Sequence, residues 1–223
     1  MKEISNPDID RINRCAIPEV IYGGGKENPD LADICKRFLS EQGRAIITKV
    51  DGEKAKYVKK SVNKIKGLDF TYNERGKVLV AKKKGFKRKI VGAIGLVTAG
   101  TSDIPIGEEA RVVAEELGCE VIYDYDVGVA GIHRVFPVLK KMNEKGVSAI
   151  IAVAGMEGAL PSVISGLVDV PVIGVPTSVG YGTSNHGLTA LNAMLNACSP
   201  VGVVNIDNGY GAAVLAFQIC RKK

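Results

Sequence analysis

Residues 89–118, KIVGAIGLVTAGTSDIPIGEEARVVAEELG, decide the fold class of this chain. The apolar run over 89–100 ends in a Gly turn, which predicts a buried strand. The stretch that follows has the spacing of an amphipathic helix, and Gly118 is a residue suited to ending it. A strand followed by such a helix is one βα unit, and a chain of these units builds a parallel sheet.

The same alternation continues to the end of the chain. Further strands are predicted over 119–126, 147–155, 171–178 and 201–206. Further helices are predicted over 132–146, 157–168, 188–197 and 211–222. Five strands with helices between them indicate an α/β fold with a doubly wound parallel sheet of the flavodoxin-like type.

Residues 1–88 have a different order of predicted elements and form a smaller N-terminal α/β domain in this prediction. It contains a helix within 28–43, a strand over 44–50, a polar helix and a hairpin over 69–81. The lysine-rich segment 82–89 is the natural boundary, so the domains are predicted as 1–88 and 89–223.

Composition narrows the class of protein further. No apolar run approaches the roughly 18 residues that span a bilayer, and the first residues contain no hydrophobic signal core, so we expect a cytoplasmic protein without membrane contact. The net charge of +6 is concentrated in 56–67 and 82–89. Because no aromatic nucleic-acid module accompanies these stretches, they are interpreted as a solvated helix face and a linker, with no nucleic acid partner.

Ligands of such sheets bind beyond the carboxyl ends of the strands, so the loops there hold the candidate residues. Thr101, Ser102 and Asp103 stand at a helix N-terminus, where amide donors favour a phosphate or a carboxylate. The alternative is an ordinary N-cap formed by Ser102 or Asp103. Neither a GxGxxG nor a Walker motif is present in the sequence.

The later loops carry acid, base and hydroxyl groups. Asp126, His133 and Arg134 follow the second strand. Glu157 follows the third strand at a helix start, where it acts either as a helix cap or as an acid/base group. The loop 176–187, PTSVGYGTSNHG, is rich in Gly and hydroxyls and offers a phosphate or ribose cradle, or else only tight turns.

The five cysteines form no CxxC pair, so each is judged alone. Cys198 ends a predicted helix directly before Ser-Pro, in a loop that we expect at the ligand edge of the sheet. A buried thiol is the alternative interpretation. Since a helix C-terminus does not lower a thiol pKa, activation requires a neighbouring cation or a positively charged substrate ring.

Five segments, taken together, resemble the pyridinium-3,5-biscarboxylic acid mononucleotide synthase family (LarB). They are AGTSD (99–103), DVGVAGIHR (126–134), VAGMEGALPSVISGLVDVPVIGVPTSVGYG (153–182), MLNACSP (194–200) and VVNIDNGYGA (203–212), and PEVIYGGGK (18–26) resembles the family's N-terminal segment. The C-terminal domain also resembles carboxyaminoimidazole ribonucleotide mutases (PurE-like), which share the serine-aspartate turn and the His-Arg pair. Those mutases have a histidine before Leu-Pro, where this chain has Ala159.

The LarB resemblance implies an enzyme that carboxylates the pyridinium ring of nicotinic acid adenine dinucleotide with CO2 or bicarbonate and releases AMP. The product would feed a nickel-pincer cofactor. The resemblance makes Cys198 the nucleophile and Glu157 the acid/base group, with Mg2+ on the substrate diphosphate and no assigned metal ligands. The remaining residues that it implies for substrate binding are Lys26, Thr101, Ser102, Asp103, Asp126, His133, Arg134, Gly155, Met156, Ser178 and Gly180.

Two alternatives stay open at this point. One is an aminoimidazole ribonucleotide carboxylase or mutase on the same fold, and the other is a non-catalytic nucleotide-binding regulatory protein. Both related families imply a homo-oligomer, a tetramer or an octamer. Asn185 and His186, in the loop 176–187, depart from the LarB pattern. We expect this departure to alter the contact of the loop with the pyridinium ring or the ribose of the substrate.

Overall fold

The computed structural model describes residues 5–222. The chain divides into two compact units, Met1–Arg88 and Lys89–Lys223. Within the described part of the chain, no helix has the length and apolar character needed to cross a membrane.

The N-terminal unit is a four-stranded mixed sheet covered by helices. Its elements are α1 (Arg11–Cys15), β1 (Ile21–Tyr22), α2 (Asn28–Glu41), β2 (Arg44–Thr48), α3 (Gly52–Val62), β3 (Leu68–Asn73) and β4 (Val78–Lys83). The strand order is β1-β2-β4-β3, with β1 parallel to β2 and the other pairs antiparallel. The predicted hairpin is therefore confirmed as β3 and β4.

The C-terminal unit is a five-stranded parallel sheet. Its elements are β5 (Gly92–Thr98), α4 (Ile104–Leu117), β6 (Cys119–Asp124), α5 (Val135–Glu144), β7 (Ile150–Ala154), α6 (Leu160–Ser165), β8 (Val172–Pro176), α7 (Leu188–Leu195), β9 (Val201–Val203) and α8 (Gly209–Cys220). The strand order β6-β5-β7-β8-β9 confirms the flavodoxin-like fold. Every residue of β7 and β8 is buried, because these central strands are covered on both faces.

Two helices begin later than the sequence predicts. The helix expected from Glu157 begins at Leu160, because Met156 (φ +52°) and Gly158 (φ +66°) have left-handed backbone that an α-helix cannot include. It also ends at Ser165, three residues early. The helix expected from Ile132 begins at Val135, after a 3-10 segment with a kink at Gly131.

Gly118 ends α4 as predicted, in a left-handed conformation (φ +108°). A Cβ atom at this position would lie 2.3 Å from the backbone oxygen of Lys89.

We expect Gly118→Ala to lower the free energy of unfolding by clearly more than Gly146→Ala, for which left-handed strain alone costs about 1–2 kcal/mol. Gly146 is the matched control because it has φ +61° and open space around it. Urea unfolding of both variants measures the difference, and equal losses would contradict the steric explanation.

Candidate functional site

A cleft of about 490 Å³ opens at the carboxyl edge of the parallel sheet. The loops after β5, β6, β7 and β8 line it, around the point between β5 and β7 where the strand order reverses. Ligands of doubly wound sheets bind at this reversal. The polar and ionisable side chains of the lining are Ser102, Asp103, Glu157 and Tyr181.

Asp103 forms the floor of the cleft and is only 4% exposed. Its carboxylate accepts hydrogen bonds from the Thr177 hydroxyl (2.7 Å) and the Gly100 amide (2.9 Å), and the Gly155 amide also donates to it. Burial raises the pKa of the Asp103 carboxyl above its usual range, although these hydrogen bonds oppose the shift. Asp103 therefore holds the ends of β5, β7 and β8 together, and Ser102 is the exposed residue of this turn that lines the cleft.

Glu157 follows β7 in a turn fixed by backbone hydrogen bonds. The Met156 amide donates to the Val179 oxygen (3.0 Å), and the Gly158 amide donates to the Gly155 oxygen (2.9 Å). No side chain caps α6, so the interpretation of Glu157 as a helix cap is not supported. Glu157 is exposed and lines both the cleft and an adjoining cavity of about 290 Å³. Its carboxylate is placed to exchange a proton with a bound molecule.

The Asp126, His133 and Arg134 group lies after β6, outside the lining of the cleft. Arg134 Nη1 lies 3.0 Å from Asp126 Oδ2, and His133 is exposed in the 3-10 segment. The Arg134 guanidinium thus pairs with Asp126 and does not line the cleft, and the expectation that it holds an anion together with the Thr101–Asp103 turn stays a prediction.

The loop after β8 carries Ser178, Gly180 and one residue that the sequence interpretation missed. The Ser178 amide donates to Asp207 Oδ1 (2.9 Å), which joins this loop to the end of β9. Gly180 lines the cleft beside Tyr181, whose side chain is 81% exposed. The signal that would have identified Tyr181 is its place between two glycines in the 176–187 loop.

Cys198 is an exposed free thiol, but it does not lie where the sequence predicts. It precedes β9, and the first residue of β9, Val201, is level with the first residue of β8, Val172. The segment with Cys198 thus enters the sheet at the amino ends of the strands. The expectation that this loop lies at the ligand edge is wrong, because α7 carries the chain from the carboxyl edge back to the opposite edge.

The other cysteines are poorer nucleophiles. Cys35, Cys119 and Cys220 are buried, and burial raises the pKa of both Cys35 and Cys119 to about 12. The Cys15 thiol donates to the Arg11 oxygen (3.1 Å). Cys198 is therefore the exposed thiol among the five.

Lys26 belongs to the N-terminal unit. There the Lys54 ammonium donates to the backbone oxygens of Lys26 (2.7 Å) and Gly23 (3.1 Å), which fixes the glycine turn 23–25. Within residues 5–222, no three His, Cys, Asp or Glu side chains come together as a metal-binding group.

The fold and the cleft define an α/β protein with a cleft at the switch point of a doubly wound sheet, where proteins of this class bind small molecules. The AIR carboxylase family matches residues 93–223, and the LarB/PurE-like N-terminal domain matches residues 2–84. The chain belongs to the AIR carboxylase family, in a form that carries the LarB/PurE-like N-terminal domain.

Similar proteins have been found in several organisms. An uncharacterized protein of Methanocaldococcus jannaschii is 49% identical over 96% of this chain and 83% of its own length. N5-carboxyaminoimidazole ribonucleotide mutases of Pyrococcus horikoshii (35% identical) and Thermotoga maritima (31%) match 56% of this chain and 71% and 73% of their own lengths. A crystal structure of a substituted PurE2 from Treponema denticola is 20% identical, with a TM-score of 0.46, over 56% of this chain and 76% of that one.

We expect Asp103→Asn to lower the free energy of unfolding at neutral pH by about 1–3 kcal/mol, because one amide oxygen cannot accept all three hydrogen bonds. The raised pKa sets the pH dependence of the difference. The part of this stability that depends on protonation of Asp103 is fully present below the unfolded pKa of about 3.8 and is lost as the pH rises through the raised pKa, whereas the part due to the hydrogen bonds remains at neutral pH. The advantage of the wild type over the variant should therefore shrink as the pH rises from acid.

Urea unfolding at several pH values measures this difference. Asp169→Asn, at an exposed carboxylate, is the control and should remain near the wild type throughout. An advantage of the wild type that grows with pH would contradict the assignment.

Proposed function

We propose that this protein carboxylates the pyridinium ring of nicotinic acid adenine dinucleotide and hydrolyses its phosphoanhydride. The products are AMP and pyridinium-3,5-biscarboxylic acid mononucleotide, a precursor of a nickel-pincer cofactor. One observation carries the proposal. A LarB/PurE-like N-terminal domain precedes an AIR carboxylase domain whose described cleft lining offers the carboxylate Glu157 and no histidine.

The proposed chemistry needs a nucleophile because a pyridinium ring is electrophilic and does not attack CO2. The Cys198 thiolate adds to a ring carbon, and the ring nitrogen takes up the electron pair, which gives a neutral enamine. The enamine carbon then forms the new bond to CO2. Glu157 removes the proton from that carbon, the ring regains its aromaticity, and the carbon-sulfur bond breaks to return the thiolate.

Hydrolysis is a separate step in which water adds to one phosphorus atom and the other phosphate leaves. Mg2+ would enter with the substrate, since this ion is commonly held by phosphates and water with few protein ligands. Bound there, it would neutralise charge on the diphosphate.

Cys198 and Glu157 of one chain lie at opposite edges of the sheet, so we propose that each site takes its thiol from a second copy of the chain. The surface around Cys198 supports an interface between copies. Residues 170–206 contain no Asp, Glu, Lys or Arg. Leu188 and Leu195 of α7, the helix that precedes Cys198, are exposed at 44% and 62%. Uncharged surfaces with exposed large apolar side chains are typical of subunit interfaces.

A second candidate is the N5-carboxyaminoimidazole ribonucleotide mutase activity named for the Pyrococcus and Thermotoga relatives. The identity of 31–35% over the C-terminal domain favours it. The presence of Ala159 where the mutase pattern has a histidine argues against it. Turnover of the imidazole ribonucleotide, with none of the dinucleotide, would establish this second function.

The direct test is incubation with nicotinic acid adenine dinucleotide, labelled bicarbonate and Mg2+, followed by mass analysis of the products. We expect a labelled biscarboxylic acid mononucleotide and AMP. Glu157→Gln should bind the dinucleotide normally but lose at least the roughly hundredfold that a general acid/base supplies. Near-normal turnover by this variant would remove Glu157 from the mechanism.

Cys198→Ser should abolish carboxylation, because a hydroxyl remains protonated near neutral pH and attacks the ring poorly. Intact-protein mass spectrometry without CO2 should show a nucleotide adduct on Cys198 of the wild type. Coexpression of Cys198→Ser with Glu157→Gln tests the shared site. Random assortment leaves about a quarter of the sites with both native groups if they come from different chains, and none if they come from one chain.

The control for this coexpression is the doubly substituted chain paired with Glu157→Gln, which should stay inactive. Recovery of activity only in the first pairing supports a site shared between chains. No recovery, in oligomers shown by mass spectrometry to contain both chains, would mean that Glu157 and Cys198 act within one chain and would contradict the shared site.

A further inference from the structure

Tyr181 is the most exposed of the large apolar and aromatic side chains, at 81%. It lies between Gly180 and Gly182, which have φ of +151° and +59°. Together with Met156 and Glu157, it lines both the 490 Å³ cleft and the 290 Å³ cavity. The ring therefore stands at the place where the two spaces meet, next to the carboxylate proposed to move a proton.

The backbone around Tyr181 is held in an unusual conformation. Asn185, His186 and Gly187 are three successive left-handed residues (φ +47°, +54° and +93°), which is costly for the two residues with side chains. The Ser184 amide donates to the Tyr181 oxygen (3.1 Å), and the Ser184 hydroxyl is buried without a partner. Conformational strain and an unpaired buried hydroxyl are features found at binding sites more often than in ordinary loops.

The charged groups that line the cleft and the adjoining cavity indicate which kind of ligand contacts the Tyr181 ring. Their described lining includes the carboxyl groups of Asp103 and Glu157 and no Lys, Arg or His. An exposed aromatic face beside carboxylates, with no competing cation, is a favourable environment for a positively charged group. A neutral ring of the same shape gains only the apolar contact.

We propose that Tyr181 determines specificity by packing against the face of the positively charged pyridinium ring, so that the site selects this ring over its neutral, reduced dihydropyridine form. The inference rests on the proposed function for the kind of substrate, and it adds the residue that recognises the charge. Selecting the cationic ring also selects the only form that is electrophilic towards a thiolate, since the reduced ring already carries the extra electron pair.

The test uses oxidised and reduced nicotinamide adenine dinucleotide as probes, because they share phosphates and riboses and differ mainly in ring charge. All chains in this test carry Cys198→Ser, so that no thiolate adds to the oxidised ring. Calorimetry should show that the chain with Tyr181 and its Tyr181→Phe variant bind the oxidised form about three- to thirtyfold more tightly, as expected for a cation–π contact. Tyr181→Leu keeps an apolar side chain without a ring and should bind both forms about equally. Since the chain contains no Trp, Tyr181→Trp also gives a single tryptophan, whose emission should be quenched by the oxidised form.

Three results would overturn the inference. The first is that the chain with Tyr181 binds neither probe. The second is that Tyr181→Leu still prefers the oxidised form by the same factor. The third is that the oligomer of Tyr181→Leu dissociates while this preference stays intact, which would make Tyr181 a subunit contact. The readout is independent of carboxylation. A chain that shows the Tyr181-dependent preference but forms no carboxylated product would therefore refute the proposed function and leave this inference standing.

Discussion

The buried Asp103 carboxylate is the interaction on which the candidate site depends. It joins three strand ends that are far apart in sequence, through the Gly100 amide, the Gly155 amide and the Thr177 hydroxyl. Burying a carboxylate is costly unless its oxygens are hydrogen-bonded, so the three donors must stay in place for the charge to be tolerated. This mutual requirement keeps the loops after β5, β7 and β8 at fixed positions around the cleft.

Close backbone approach completes this arrangement. A Cβ atom at Gly155 would lie 2.5 Å from the Val179 oxygen and 2.6 Å from the Thr177 hydroxyl, and one at Gly128 would lie 2.8 Å from the Ala99 oxygen. The loops therefore contact one another without intervening side chains. Glu157 and Tyr181 are the side chains that such packing leaves directed towards the open space, which is why the chemistry is concentrated in so few residues.

The sequence predicts the fold well because its signals are local. Five apolar runs and a glycine after α4 define the strand and helix order, and parallel pairing then determines which loops share an edge. The partners of Asp103 are not predictable in this way, since Thr177 is distant in sequence and an aspartate before a helix resembles an ordinary cap. The predicted position of Cys198 was wrong for another reason. Its loop was assigned to the ligand edge, although a loop that follows a helix and precedes a parallel strand lies at the amino edge.

Charge is divided unevenly along the chain, and this division matches the proposed substrate. Residues 1–88 contain 21 Lys and Arg against 12 Asp and Glu, whereas residues 89–223 contain 9 against 12. The domain with the cleft is therefore net acidic, which suits a cationic ring and disfavours a diphosphate. A substrate with a cationic ring gains from this acidic domain, whereas a ribonucleotide that carries only negative charge does not.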